Sequence, residues 1–334
     1  MRPFIDTSLD FEHRLSEMMT GGFVRKRILP LLPEYSSSVE PPPCGTPMIR
    51  GGLGRTVEYR IGEETAIFAK LYSNRDLGEH AYSVLEGLRK HGFATDQDCH
   101  IPEPLSYSPE DGLLITRGVK GVALISCLAS SPADLAEHAR KAARCLIKLH
   151  GSSVRFGSEG DSSAELLKMS NQLIKAIGHH PHEGRRLLLL TRKLRELAKA
   201  IPSRRHVVQT HGRFRHAHVF LESDSVSVMN WDKSCPSDPA IDVADFLHLL
   251  RRDTFRKTKS PDRADRATRA FLEEYSGAFP QHIANLAFFW GLNLLTMRCG
   301  HIKDRRGDDP AMEARILHAQ KDFEDVMEGR FLTP

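Results

Sequence analysis

The sequence predicts an α+β protein in which a small, β-rich N-terminal lobe precedes a larger, mainly helical one. Three observations carry this. The runs TVEYRI and TAIFAKLY are strand-like and are joined by IGEE, a turn-forming glycine and acid segment. From Ser131 onward, apolar residues recur at helical spacing. A short β-like group around residues 207–230 interrupts the helical part, and an acidic segment behind it opens another helix. The 334 residues are 40% hydrophobic and 27% charged, enough for one large domain or two moderate ones with a packed core.

Taken in order, residues 1–45 mix a short helical start with SSSVEPPPCGTP, where three consecutive prolines can continue neither a helix nor a central strand. This segment is expected as an N-terminal extension on the outside. Residues 46–118 form the β-rich lobe. After its two strands, Asn74 is placed to cap a helix through RDLGEHAYSVLEGLRKHG that Gly92 ends. IPEPLSYSPEDGLLITRGVKG then reads as two extended runs around a PEDG turn.

Residues 119–334 form the helical lobe, with its central segment at 207–247. Leu135, Ala139, Ala142, Leu146 and Leu149 line one helix face, with Ser131 as cap and Pro132 in the first turn. A further helix runs through RRLLLLTRKLRELAKAI, and FLEEYSGAFPQHIANLAFFWGLNLLTMRC reads as packed helices. HHPH at 179–182 reads as a loop between helices, and RRDTFRKTKSPDRADRATR as a solvated face.

The net charge of +4 gives no global attraction to nucleic acid. No apolar run approaches the roughly 20 residues that cross a bilayer, and MRPFIDTSLDFEHR has no apolar core of a signal peptide. A cytoplasmic protein is expected, and its six widely spaced cysteines are expected to be reduced thiols.

The most informative stretch is THGRFRHAHVFLESDSVSVMNWDKSCPSDPAIDVADFL, from Thr210 to Leu247. It resembles the catalytic core of the aminoglycoside and choline phosphotransferase family, whose pattern runs HGDFxxxN, then a hydrophobic pair and Asp, then GDPxxD. His211, Gly212, Phe214, Trp231, Asp238, Pro239 and Asp242 match it. Three positions differ: Arg213 stands at the catalytic Asp, His218 at the Asn and Asn230 at the metal-binding Asp. The resemblance implies a bilobal, protein-kinase-like fold, ATP as the nucleotide and a small hydroxylated molecule as phosphate acceptor. It implies no nucleic acid or membrane partner.

The same resemblance assigns roles. Lys70, closing TAIFAKLY, is the expected phosphate-binding cation. Glu79 is the acid expected to pair with it from the following helix, although the family's spacing falls on Ala81 and Glu86 is another candidate. Thr116 to Val119 is the segment expected to meet the adenine through its backbone. The Gly-rich IRGGLGRTVEYRI could cover phosphates, but without GK[ST] it is no P-loop. His211 belongs to the catalytic loop, and Asp242 is implied to brace that loop from the Asp238–Asp242 motif.

The altered positions pull the chemistry two ways. A guanidinium has no acceptor, so Arg213 cannot serve as a base, but it can clasp a phosphate or carboxylate. Mg²⁺ takes hard oxygen donors, which makes His218 a poor ligand and leaves Asn230 one formal charge short. Asp232 is the nearby acid that could compensate, provided the strand continues so that residues 230 and 232 share a face. Otherwise it is a partner for Lys233, Arg213 or Arg215. Three outcomes remain open: phosphorylation through an atypical site, a pseudokinase that binds nucleotide, ligand or a protein partner without transfer, or a different reaction in which Arg213 and the histidines handle an anionic substrate.

Overall fold

The structure, a computed structural model, describes residues 7–35, 46–48, 54–61, 65–94, 98–160, 184–201, 206–303 and 310–330. The HHPH segment and residues 49–53 of the Gly-rich segment lie outside them. The chain divides into two compact units, Met1–Lys120 with Ser227–Asp232, and Gly121–Val226 with Lys233–Pro334.

The first unit is built on an antiparallel sheet of five strands, β1 (Thr46–Met48), β2 (Gly54–Ile61), β3 (Thr65–Tyr72), β5 (Pro104–Ser108) and β6 (Leu113–Arg117), in the order β1-β2-β3-β6-β5. The short β4 (Cys99–His100) lies outside this sheet. Strand alternation sends Val57, Tyr59, Ile61, Ile67, Ala69 and Leu71 to one face, where they form a core. Met18, at the end of helix α1 (Thr7–Met18), and Phe23, Val24, Ile28 and Leu32 fill the same core. Residues read from sequence as an extension therefore supply much of this unit's apolar interior. The Tyr59 hydroxyl donates to the Met18 carbonyl at 2.7 Å, so the joint is also hydrogen-bonded.

Helix α2 (Arg75–Leu88) starts as its sequence predicts, the Asn74 side chain accepting from the Asp76 N–H at 3.0 Å. Gly92, with φ of 94°, takes the left-handed conformation that ends the following turn.

The second unit begins with the short β7 (Val122–Ala123), paired with β9 (Val219–Leu221). Its helices are α3 (Pro132–Gly151), α4 (Gly184–Ala198), α5 (Ala240–Thr258), α6 (Pro261–Ala278), α7 (Leu286–Lys303) and α8 (Pro310–Met327). Ser131 caps α3 by accepting from the Asp134 N–H at 3.1 Å. The predicted stripe of Leu135, Ala139, Ala142, Leu146 and Leu149 is buried, and α3 packs along α6. On α7, Phe288, Trp290, Leu294 and Leu295 are all buried, which makes this helix central.

Cys127, Cys235 and Cys299 are free thiols, whereas Cys99 and Cys145 are disulfide-bonded. The expectation of reduced cysteines does not hold for these two. Disulfide pairing depends on Cα atoms within about 7 Å of a partner, which spacing along the chain does not reveal.

Candidate functional site

Lys70 and Tyr72 lie two residues apart on β3 and share the face opposite the apolar core, as strand alternation requires. Across the ladder Lys70 is level with Thr56 on β2 and Leu114 on β6. Gly54 opens β2 opposite Tyr72. A Cβ there would lie 2.4 Å from the Leu71 carbonyl oxygen and 3.4 Å from Lys70 Cε, so only glycine lets β2 run this close to the lysine. Gly54 is the last glycine of the IRGGLG segment.

The residues that hold Lys70 come from 160 positions later in the chain. Its ammonium forms an ion pair with Asp232 Oδ2, and Asn230 Oδ1 lies 3.4 Å from it. The ammonium also sits 4.9 Å from the centre of the Tyr72 ring. The other Asp232 oxygen accepts the Tyr72 hydroxyl at 2.6 Å. Asp232 thus pairs with two residues of β3, a partnership that its neighbourhood in sequence does not suggest.

The route by which residues 230 and 232 converge is also not the predicted one. The short strand β10 (Val226–Val228) ends before them, so alternation along it cannot align them. Asn230 instead adopts a left-handed φ of 70°, a conformation asparagine tolerates better than most residues. The turn buries Trp231, whose indole donates to the Val228 carbonyl at 2.9 Å. Burying the Trp231 ring directs its two polar neighbours to Lys70.

Glu79 is not brought to Lys70. It is exposed on α2, and Glu86 is committed to Tyr82 and Lys90 at 3.0 Å each. The acid on the lysine comes from the 230–232 turn. Thr116 pairs with Phe68 within β6, and half-buried Val119 follows the strand. Between them the Gly118 N–H donates to the Ala66 carbonyl at 2.7 Å, so the chain leaving β6 stays against β3.

The second unit holds the 211–218 loop. Strand β8 (Val208–Thr210) enters it and pairs with β11 (Cys235–Ser237), a short strand that the sequence does not signal. Gly212 has φ of 70°, and a Cβ on it would lie 2.1 Å from the Lys233 carbonyl oxygen. Loop and β11 entry thus touch backbone to backbone. Inside the loop the Arg213 N–H donates to His211 Nδ1 at 3.2 Å, and His218 Nδ1 donates to the Arg213 carbonyl at 3.0 Å. The His211 and His218 rings stack with centroids 6.0 Å apart. Burial, aided by His211 and nearby arginines, pushes His218 down to about 3, so its ring is neutral near pH 7.

The Asp238–Asp242 motif anchors this loop. Asp242 is fully buried, and its Oδ2 accepts the His211 N–H at 2.6 Å. The same oxygen accepts His150 Nε2 at 3.2 Å, while His150 Nδ1 accepts the Tyr275 hydroxyl. Asp238 accepts the Ala240 N–H at 2.9 Å, at the start of α5, and Asn285 Nδ2 at 2.6 Å. His150 stands at the end of the patterned helix α3, where the sequence reads IKLHG, a helix end that resembles the family's LHxxP pattern. His216 is paired with Asp253 at 3.2 Å. Among the described residues no three His, Cys, Asp or Glu side chains converge as a metal site.

Chemically, the first unit presents an ammonium held by one carboxylate and one amide oxygen. The second presents a loop, tied by hydrogen bonds among His211, Arg213 and His218, that carries the Arg213 guanidinium. A model of the phosphotransferase enzyme family (APH) matches residues 49–281, and the chain belongs to this family. Among solved structures it is similar to a choline/ethanolamine kinase family protein from Mesorhizobium loti, with 17% identity, TM-score 0.56, and coverage of 94% of this chain and 98% of that one. It is also similar to a choline kinase from Cryptosporidium parvum, with 13% identity, TM-score 0.64 and coverage of 93% and 96%. An ADP-bound aminoglycoside phosphotransferase aligns at 14% identity and TM-score 0.53 over 87% and 96%. At these identities the likeness establishes a shared protein-kinase-like fold. No curated protein sequence matches the chain.

Proposed function

We propose that this protein transfers the terminal phosphate of ATP to a small hydroxylated molecule, with Asp232 taking over the acidic role that Asn230 has given up. One observation carries the reading: the Asp232 carboxylate and the Asn230 amide oxygen converge on the Lys70 ammonium. Lys70 is the group that meets phosphate in kinase-like sites. The solved relatives include aminoglycoside phosphotransferases with bound ADP and GDP, which supports a nucleotide at this lysine.

Phosphoryl transfer asks mainly for positioning and charge stabilisation, because its transition state is loose. A missing general base costs about 10² to 10⁴ in rate, which slows transfer without abolishing it. Arg213 would then act on negative charge, as a clasp for phosphate or for an anionic acceptor. Mg²⁺ fits Asp232 and Asn230 as oxygen donors, since this ion is commonly held by one or two carboxylates together with substrate phosphates. When bound, it would neutralise charge on those phosphates. His218 fits poorly, being a nitrogen ligand whose Nδ1 faces the Arg213 carbonyl.

The competing reading is a pseudokinase that binds nucleotide, ligand or a protein partner and transfers nothing. The observation that favours it is Arg213, which puts a donor where the reaction uses an acceptor.

Calorimetry with ATP, with and without Mg²⁺, and phosphate transfer to aminoglycosides, choline, ethanolamine and sugars test both. Binding with transfer that Asp232→Asn abolishes is the expected result. Binding without transfer to any acceptor selects the pseudokinase. No binding of any nucleotide removes the transferase reading and leaves a pseudokinase that holds another ligand or a protein partner.

A further inference from the structure

Kinase-like sites ordinarily use an acid on the helix after β3 to hold the lysine. In this protein that helix, α2, offers no such acid: Glu79 is exposed and Glu86 is bound elsewhere. The helix nevertheless touches the site by another path. Gly78 faces the Tyr72 ring, and a Cβ on it would lie 2.9 Å from Tyr72 Cδ2 and 2.8 Å from the Tyr107 ring. Tyr107 in turn donates its hydroxyl to the Arg75 carbonyl at 2.6 Å, fixing the start of α2. Tyr72 is only 1% exposed, and its hydroxyl meets Asp232 Oδ1 at 2.6 Å. Asp232 Oδ2 meets Lys70.

We infer that Tyr72 is a positioning residue that links helix α2 to Lys70 through Asp232, in place of a helix-borne acid. Three features make this more than packing. The hydroxyl and the ammonium take different oxygens of one carboxylate, so the phenol sets which oxygen faces Lys70. Burial, together with the neighbouring carboxylate, holds the phenol well above its ordinary range, so it is a permanent donor at physiological pH. The ring lies under the Lys70 ammonium at 4.9 Å, which couples its own placement to the same cation. A shift of α2 would therefore move the Tyr72 ring, turn Asp232 and change how Lys70 is presented. The inference rests on the reading of Lys70 and Asp232 as the phosphate-binding pair, but it makes a claim that can be measured without nucleotide.

The first measurement is the rate at which an amine-reactive reagent modifies Lys70, read by mass spectrometry on the intact protein. Tyr72→Phe keeps the ring and removes the hydroxyl. It should raise the Lys70 rate several-fold, because a charge-assisted contact to Asp232 is loosened. In an Asp232→Asn background the same change should add little, as expected for residues acting in series. Gly78→Ala favours the helix by propensity yet displaces the ring, and it should raise the rate with the hydroxyl still present. An unchanged Lys70 rate in Tyr72→Phe, or full additivity with Asp232→Asn, overturns the inference. If Tyr72→Phe does not fold, Gly78→Ala decides alone: an unchanged rate overturns the inference and a raised one sustains it. The second measurement is ATP affinity, where Tyr72→Phe should weaken binding about tenfold, or about 1.4 kcal/mol. Wild-type protein that binds no nucleotide removes the proposed function and leaves the labelling result standing.

Discussion

At the scale of single residues, charge placement decides most. Lys70 keeps 20% of its side chain exposed while Asp232 is nearly enclosed, so the pair lies at the edge of the interior. Removing one partner of a fully buried pair costs about 3–5 kcal/mol. Solvent screening at Lys70 reduces this, and Asp232→Ala should lower unfolding stability by about 2 kcal/mol in urea titrations. A variant as stable as the parent would mean that the pair contributes nothing to the fold. Lys70→Ala should weaken ATP binding at least about tenfold, and an unchanged affinity in calorimetry would take Lys70 out of the site. Gly212 is constrained by geometry: its positive φ and the Lys233 carbonyl 2.1 Å from a would-be Cβ leave no room. Gly212→Ala should cost more than about 2 kcal/mol, read from the urea midpoint.

Elements follow from short-range pattern where they are long and periodic. The α3 stripe, its Ser131 cap and the Asn74 cap of α2 were legible because each depends on residues within a few positions. Leu146, fully buried between α3 and its neighbours, should cost about 2–5 kcal/mol on change to Ala, and Ser131→Ala about 1 kcal/mol. A loss at Leu146 no larger than at Ser131 would mean that α3 packs loosely. The charge run through residues 249–269, expected as a solvated loop and helix face, exposes Arg256, Lys257, Lys259 and Arg266 but buries its first arginine. Arg251 is 2% exposed, bound to Asp265 at 2.6 Å and to Asp322 at 2.7 Å. Asp322 stands 71 positions away, beyond any local pattern. The β11 strand was missed for a similar reason, since its only signal is a partner at β8.

For the molecule as a whole, buried histidines set the response to acid. Burial lowers His218 and His248 to about 3 and His282 to about 4, from an ordinary 6.5. Their folded-state values lie below the unfolded one, so between pH 6.5 and about 4 the unfolded chain binds more protons. The stability they contribute is complete above that range and is lost as pH falls through it. Several kcal/mol should disappear between pH 7 and about 4, seen as a steep fall in Tm across that interval. A flat profile would show that these rings are solvated. Among the described residues no helix is long and apolar enough to cross a membrane, in keeping with the absence of a spanning run in the sequence.

The sequence alone determined the family and the succession of a β-rich part and a mainly helical one, and it set Arg213, His218 and Asn230 within the 210–247 stretch. Those are properties of type and spacing along the chain, and local sterics and hydrophobic periodicity express them directly. Only the tertiary structure decided that Lys70 is held by Asp232 rather than by Glu79, and that Tyr72 stands behind that carboxylate. Ion pairs and hydrogen bonds form between groups brought within a few ångströms by folding, and Asp232 lies 162 positions from Lys70 and 160 from Tyr72.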